Sequence, residues 1–144
     1  MAGLLDGLAR LLHADELGHY DPDGVYPPDV PAGTWPIHLE HQPPDPGQTI
    51  TLFQQPGGEQ PGNHGWAEPT VHLRVRGTED ARVSRDKAQE LYDRLHGMTY
   101  TELPGGVYVV DCLGQQSGPR PAGADANGLH QHITTVRVSI EHPV

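Results

Sequence analysis

The sequence predicts an α+β domain: a small antiparallel or mixed sheet of about five strands with two helices packed on one face, in the order α-β-β-β-α-β-β. Three patterns carry that expectation. Val71, Leu73 and Val75 alternate with His72, Arg74 and Arg76, the period-two signature of a half-buried strand. Directly downstream, Ala81, Ser84, Ala88, Leu91 and Leu95 form a small or apolar stripe at helical spacing, with Tyr92 beside it. Near the end of the chain Val136, Val138 and Ile140 alternate with Arg137, Ser139 and Glu141, which reads as a closing strand over 132–141.

The other elements follow in chain order. Leu4, Leu5, Leu8, Leu11 and Leu12 recur at three- and four-residue spacing and predict an amphipathic helix over about 2–16, with Gly18 as its stop. Residues 19–34 hold four prolines and read as an irregular crossing. Trp35, Ile37 and Leu39 alternate with His38 and Glu40, and a second alternation runs through Ile50, Leu52 and Gln54. These two runs are expected to pair as a loose hairpin across the turn at Pro43 to Gly47. Residues 55–68 contain Gly-Gly, Pro-Gly and His-Gly and read as a mobile loop. Gly77 ends the central strand, and Thr78 is the expected N-cap of the following helix, with Ser84 as an alternative start. Gly97 stands at its left-handed C-terminal position. A strand over 107–113 and a Gly/Pro loop over 114–128 precede the closing strand. The whole reads as one domain spanning 1–144 with long loops at 19–34, 55–68 and 114–128.

Composition bounds the function. Hydrophobic residues are 35% of the chain, so the core is served by few elements, and the 18 glycines and 15 prolines crowd into the loops. Nineteen acidic against nine basic residues leave a formal charge of −10. That balance argues against general binding to nucleic acid or anionic membranes, which needs clustered Lys and Arg. No apolar stretch has the length of a membrane span, and the apolar start lacks a positive leader region, so neither a span nor a signal peptide is expected. Cys112 is the single cysteine, which excludes an intrachain disulfide and suits a small buried residue.

Candidate chemistry is sparse. His38 and His41 are three apart, and His130 and His132 share one face of a predicted strand, but a zinc site needs three or four convergent ligands. No metal or other cofactor is expected. No G-x-S-x-G elbow is present, and 57–65 lacks the Lys-Ser/Thr ending of a phosphate loop, so no enzyme is expected either. Arg74 and Arg76, with Arg82 and Arg85 beyond, form the one local basic concentration. They read either as a solvated face balanced by Glu79, Asp80 and Asp86, or as a subunit interface.

The segment PTVHLRVRGTEDARVSRDKAQELYDRLHG (69–97) resembles the strand-to-helix centre of phage minor capsid and tail terminator proteins, with its Val75-Arg76-Gly77, its Arg- and Ala-rich helix and its Leu95-x-Gly97. WPIHLEHQP (35–43) leading into QTITLFQQPGG (48–58) fits the same pattern. GPRPAGADANGLHQHITTVRVSIE (118–141) is similar to the family's Gly-Asp-x-x-Gly loop and closing strand. The resemblance covers most of the chain. It implies a virion structural protein of a long-tailed, siphovirus-like phage, made in the host cytoplasm and placed at the head–tail interface. It further implies a homo-oligomeric ring, commonly a hexamer, that caps the tail tube protein and joins the head completion or connector protein. DNA would pass through an acidic lumen without specific binding. The alternatives are a head completion or stopper protein, a small peptide-binding module, and a metal-dependent hydrolase using His130 and His132. Interface residues expected from the sequence are Glu59, His64 and Trp66 in the loop, and Arg74 and Arg76 on the strand.

Overall fold

In the computed structural model, residues 3–26, 33–43, 47–55 and 66–141 are described. They form two helices, α1 (Leu4–Ala14) and α2 (Ala81–Leu95), and eight strands. These are β1 (Ile37–Leu39), β2 (Thr49–Gln55), β3 (Trp66–Ala67), β4 (Thr70–Arg76), β5 (Thr99–Glu102), β6 (Tyr108–Gly114), β7 (Arg120–Ala124) and β8 (His130–Glu141). One sheet runs in the order β1-β2-β4-β8-β6-β5, with β3 and β7 each pairing to β8. All pairings are antiparallel except β1 with β2.

The α+β class and the two helices on one face are as expected, and the sheet is larger than the five strands expected. Three short strands account for the difference. Trp66–Ala67 is two residues long. Thr99–Glu102 is largely solvent-exposed and carries no apolar alternation. Arg120–Ala124 lies inside the stretch expected as a Gly/Pro loop, yet it pairs through its backbone to β8.

The core is the inner face of this sheet under both helices. Ile37, Ile50, Leu52, Val71, Leu73, Val75, Val136 and Val138 are fully buried there, against Leu8 and Leu12 of α1 and Ala88, Leu91 and Leu95 of α2. Burial of apolar surface at about 25 cal/mol per Å² makes this layer the main favourable contribution to folding. Arg94 of α2 pairs with Asp15 just beyond α1, tying the two helices together. Contact is closest where side chains are absent. A Cβ on Gly114 would lie 2.1 Å from the Tyr92 ring, and one on Gly77 would lie 2.9 Å from the Ser84 backbone nitrogen. Ser84, considered as a second helix start, is instead an interior, buried residue of α2.

Two local details differ from expectation. The N-cap of α2 is Asp80, whose carboxylate accepts from the Arg82 N–H at 3.0 Å. The Thr78 hydroxyl accepts one step earlier, from the Asp80 N–H. The Asp80 carboxyl is thereby lowered to about 2, by the hydrogen bonds from the Arg82 side chain and backbone. Gly97, at φ +85°, does take the left-handed position after α2. The second difference is β1 and β2, which pair in parallel, Ile37 opposite Ile50 and Leu39 opposite Leu52, where a hairpin was expected. Their connection does not fold straight back. At the outer face of the sheet Arg76 donates to the Pro43 and Gly47 carbonyls of that connection, and β2 runs beside β1 in the same direction.

Cys112 is fully buried on β6, and burial, then the Asp111 charge, pushes its thiol up to about 12. An alkylating reagent at about pH 8 is therefore expected to label it only after unfolding. Mass spectrometry across a urea series checks this, and stoichiometric labelling of the native protein would contradict it.

Candidate functional site

The face of the sheet turned away from the helices is the surface on which this chain places its polar chemistry. Strand alternation brings Thr49, Thr51, Phe53 and Gln55 of β2, Thr70, His72, Arg74 and Arg76 of β4, and Gln131, Ile133, Thr135 and Arg137 of β8 to that face, row against row. The rows differ sharply along the strands.

At one end the face is covered. Arg76 is 1% exposed, and its guanidinium donates to the Gly47 carbonyl at 3.0 Å and the Pro43 carbonyl at 2.7 Å. Its Nη1 also stands 4.0 Å from Asp125 Oδ2. Asp125 is itself the clasp of the β7–β8 turn. Its Oδ1 accepts from the N–H groups of Asn127 and Leu129, and its backbone carbonyl accepts from Gly128. Arg76 therefore joins the β1–β2 connection to the β7–β8 turn. Gln131 beside it is also buried, and its Oε1 accepts from Gln42 at 3.2 Å and from Arg74 Nη1 at 3.3 Å.

At the other end the face is open. A concavity of about 380 Å³ is lined by Phe53, Gln55, His72, Arg74, Arg120 and Ile133, with Glu40 on its rim. His72 is held at both ring nitrogens, Nδ1 3.0 Å from Thr135 Oγ1 and Nε2 3.0 Å from Gln55 Oε1. A neutral ring protonated at Nε2 satisfies both, donating to the amide oxygen and accepting from the hydroxyl. Partial burial, then the charges of Arg120 and Arg74, hold its pKa below the ordinary histidine value. Near neutral pH the positive charge of this concavity comes from its arginines, with the Glu40 carboxylate on its rim.

Of the residues expected at an interface, Arg74 stands half-buried at the edge of this concavity. Arg76 shares its strand face but is consumed inside the subunit. Trp66 begins β3, paired opposite Glu141 at the far end of β8. Glu59 and His64 lie outside the described residues. Sequence reasoning missed Arg120, which sat in an expected loop, and the pairing of Arg76 with Asp125. Among the described residues no three His, Cys, Asp or Glu side chains converge on a metal position, and His132 Nδ1 lies 2.7 Å from the buried Ser84 hydroxyl. No helix among them is long and apolar enough to cross a membrane.

Two stretches that resemble the family, Val75-Arg76-Gly77 and the turn around Asp125, thus meet in space. A family model described as bacteriophage tail terminator protein matches residues 11–141. The chain belongs to the bacteriophage tail terminator family. That match spans every strand and the whole of α2. No curated protein sequence matches the chain. As a tail terminator it is a structural component of the phage tail, and so of the virion, and its work is done through contacts with other phage tail and head proteins. Among the described residues, the open part of the outer sheet face and the exposed side of α2 are both accessible surfaces.

Proposed function

We propose that copies of this tail terminator close into a ring, of six subunits, that caps the finished tail tube and offers its other side to the head completion or connector protein. The observation that carries this reading is the family match over 11–141, in a subunit whose sheet is packed by helices on one face only. Closed cyclic symmetry is the usual outcome when identical subunits use one heterologous contact. The action is steric and interfacial: the ring covers the growing end of the tube and presents a new surface to the head, with no catalytic step. A formal charge of −10 per subunit suits a lumen through which DNA passes without adhering.

The subunit contacts fall, on this reading, on the loop around Glu59 and His64, on Trp66 and on the Arg74 end of the β4 face. Arg76 supports that face from within. Electron microscopy of the purified protein, alone and mixed with tail tubes, tests the proposal. Rings with a central hole, seated on tube ends, are the expected result. A strict monomer that leaves the tube ends bare would end it.

A further inference from the structure

The distribution of cations in this acidic subunit is uneven in a way that local pairing does not explain. Six of the nine Lys and Arg side chains stand within 4.0 Å of a carboxylate. The other three, Arg74, Arg120 and Arg137, have no acidic partner among the described residues. All three lie on one surface. Arg74 and Arg120 sit directly opposite Ile133 from its two sides, on β4 and β7. Arg137 lies four residues further along β8, which at strand rise is about 13 Å away. The His72–Thr135 row lies between them. Phe53 and Ile133 give the groove an apolar floor, and Leu113, opposite Arg137, is 38% exposed. Two acids border the groove. Glu40 Oε1 accepts from the Gln54 N–H, and Asp111 lies on the row beyond Arg137.

An amphipathic groove with two uncompensated guanidinium groups, and a third about 13 Å further along the same face, in a chain with 19 acidic residues, is complementary to that chain's own surface. We propose that this outer-face groove receives an acidic segment of a neighbouring copy, so that each subunit's arginines hold the next subunit in a head-to-tail contact. The proposal rests on the ring reading above and names the chemistry of its interface. Arginine suits the role because its planar fork binds carboxylates in pairs of hydrogen bonds and stays charged at every relevant pH. DNA phosphate is the less favoured occupant, since the subunit's net charge opposes a polyanion, whereas a carboxylate-bearing segment of a second copy brings few charges at a time.

The test compares the wild-type protein with Arg74→Glu/Arg120→Glu and with Arg82→Glu/Arg85→Glu. The second variant makes the same charge change on the exposed side of α2. Sedimentation at low and high salt, alone and on tail tubes, measures assembly, and circular dichroism melting confirms folding. Should the glutamates disturb folding, Arg74→Gln/Arg120→Gln removes the charges without adding acids. The groove variant is expected to lose self-association by about tenfold or more, the α2 variant to assemble like wild type, and wild-type assembly to weaken with salt. Equal assembly by wild type and a folded groove variant overturns this proposal and leaves the ring standing. Equal loss in the α2 variant overturns it too, since net charge would then be the cause. Binding of a short DNA duplex that disappears in the groove variant, with assembly intact, assigns the groove to nucleic acid instead. A wild-type protein that is monomeric alone and on tubes removes the ring and this contact together.

Discussion

Replacing Arg76 by methionine is expected to lower the unfolding free energy by about 3 kcal/mol, close to the upper range for single substitutions. The methionine would fill much of the same space, so the loss is electrostatic. When the guanidinium goes, the Pro43 and Gly47 carbonyls lose their donor and the Asp125 carboxylate, 4.0 Å away, loses its charge partner. A buried acceptor left without its donor costs about 1–3 kcal/mol, and removal of one member of a buried charge pair costs more than removal of both. Arg76→Lys should recover roughly half of the loss, since a point ammonium keeps the charge but cannot span both carbonyls. Urea unfolding midpoints measure the three proteins. A methionine variant as stable as wild type would show that the clasp between the β1–β2 connection and the β7–β8 turn contributes nothing.

The same residue shows how far the sequence could be read. Alternation placed His72, Arg74 and Arg76 on one face of β4, and that placement is correct. Alternation reports which side a residue faces, and it does not report what the chain later lays over that side. Pro43 and Gly47 of the β1–β2 connection hold Arg76, while His72 lines an open concavity, so neighbours on one face became a buried clasp and an open groove. The strand-to-helix unit at 70–95 was legible because its burial is set locally, by period two and then by period 3.6. Arg120–Ala124 was not legible. Its Pro121 and Gly123 read as loop, and it is a strand only because β8 is long enough to pair it at the edge, where proline is tolerated. Thr99–Glu102 was hidden for the converse reason, an edge strand with no buried stripe to mark it. The parallel pairing of β1 and β2 depended on a crossing that no local pattern encodes.

Burial also separates two kinds of contribution that the family match leaves joined. Everything that makes the subunit fold lies on the inner face or beneath the clasp, where glycine approaches at Gly77 and Gly114 leave no room for larger residues. The open part of the outer face, by contrast, is in reach of a partner, as is the exposed side of α2. A tail terminator built this way can vary its contact residues without disturbing its core, because the two sets alternate along the same strands.

Leu73→Ala puts that separation to its hardest test, since Leu73 and Arg74 are adjacent in the chain and face opposite ways. Leu73 is fully buried on the central strand, with Leu52 opposite it on β2 and Thr134 opposite it on β8. Strands hydrogen-bonded on both sides cannot move in to close the space. The Thr134 hydroxyl is fixed as well, donating to the Ala88 carbonyl of α2 at 2.7 Å. The cavity should therefore persist, and the expected cost is about 3–4 kcal/mol, in the upper part of the range for leucine truncation. The denaturant slope should stay unchanged, since the same surface is exposed on unfolding. Assembly per folded molecule should also stay unchanged, because nothing on the outer face has been altered. Arg74→Glu/Arg120→Glu should do the opposite, sparing the melting temperature and weakening assembly. Sedimentation and urea unfolding of both variants, run side by side, measure the two effects independently. If Leu73→Ala lost assembly in proportion to Arg74→Glu/Arg120→Glu while still folded, the two faces would be coupled, and the outer groove would not be a separable interface.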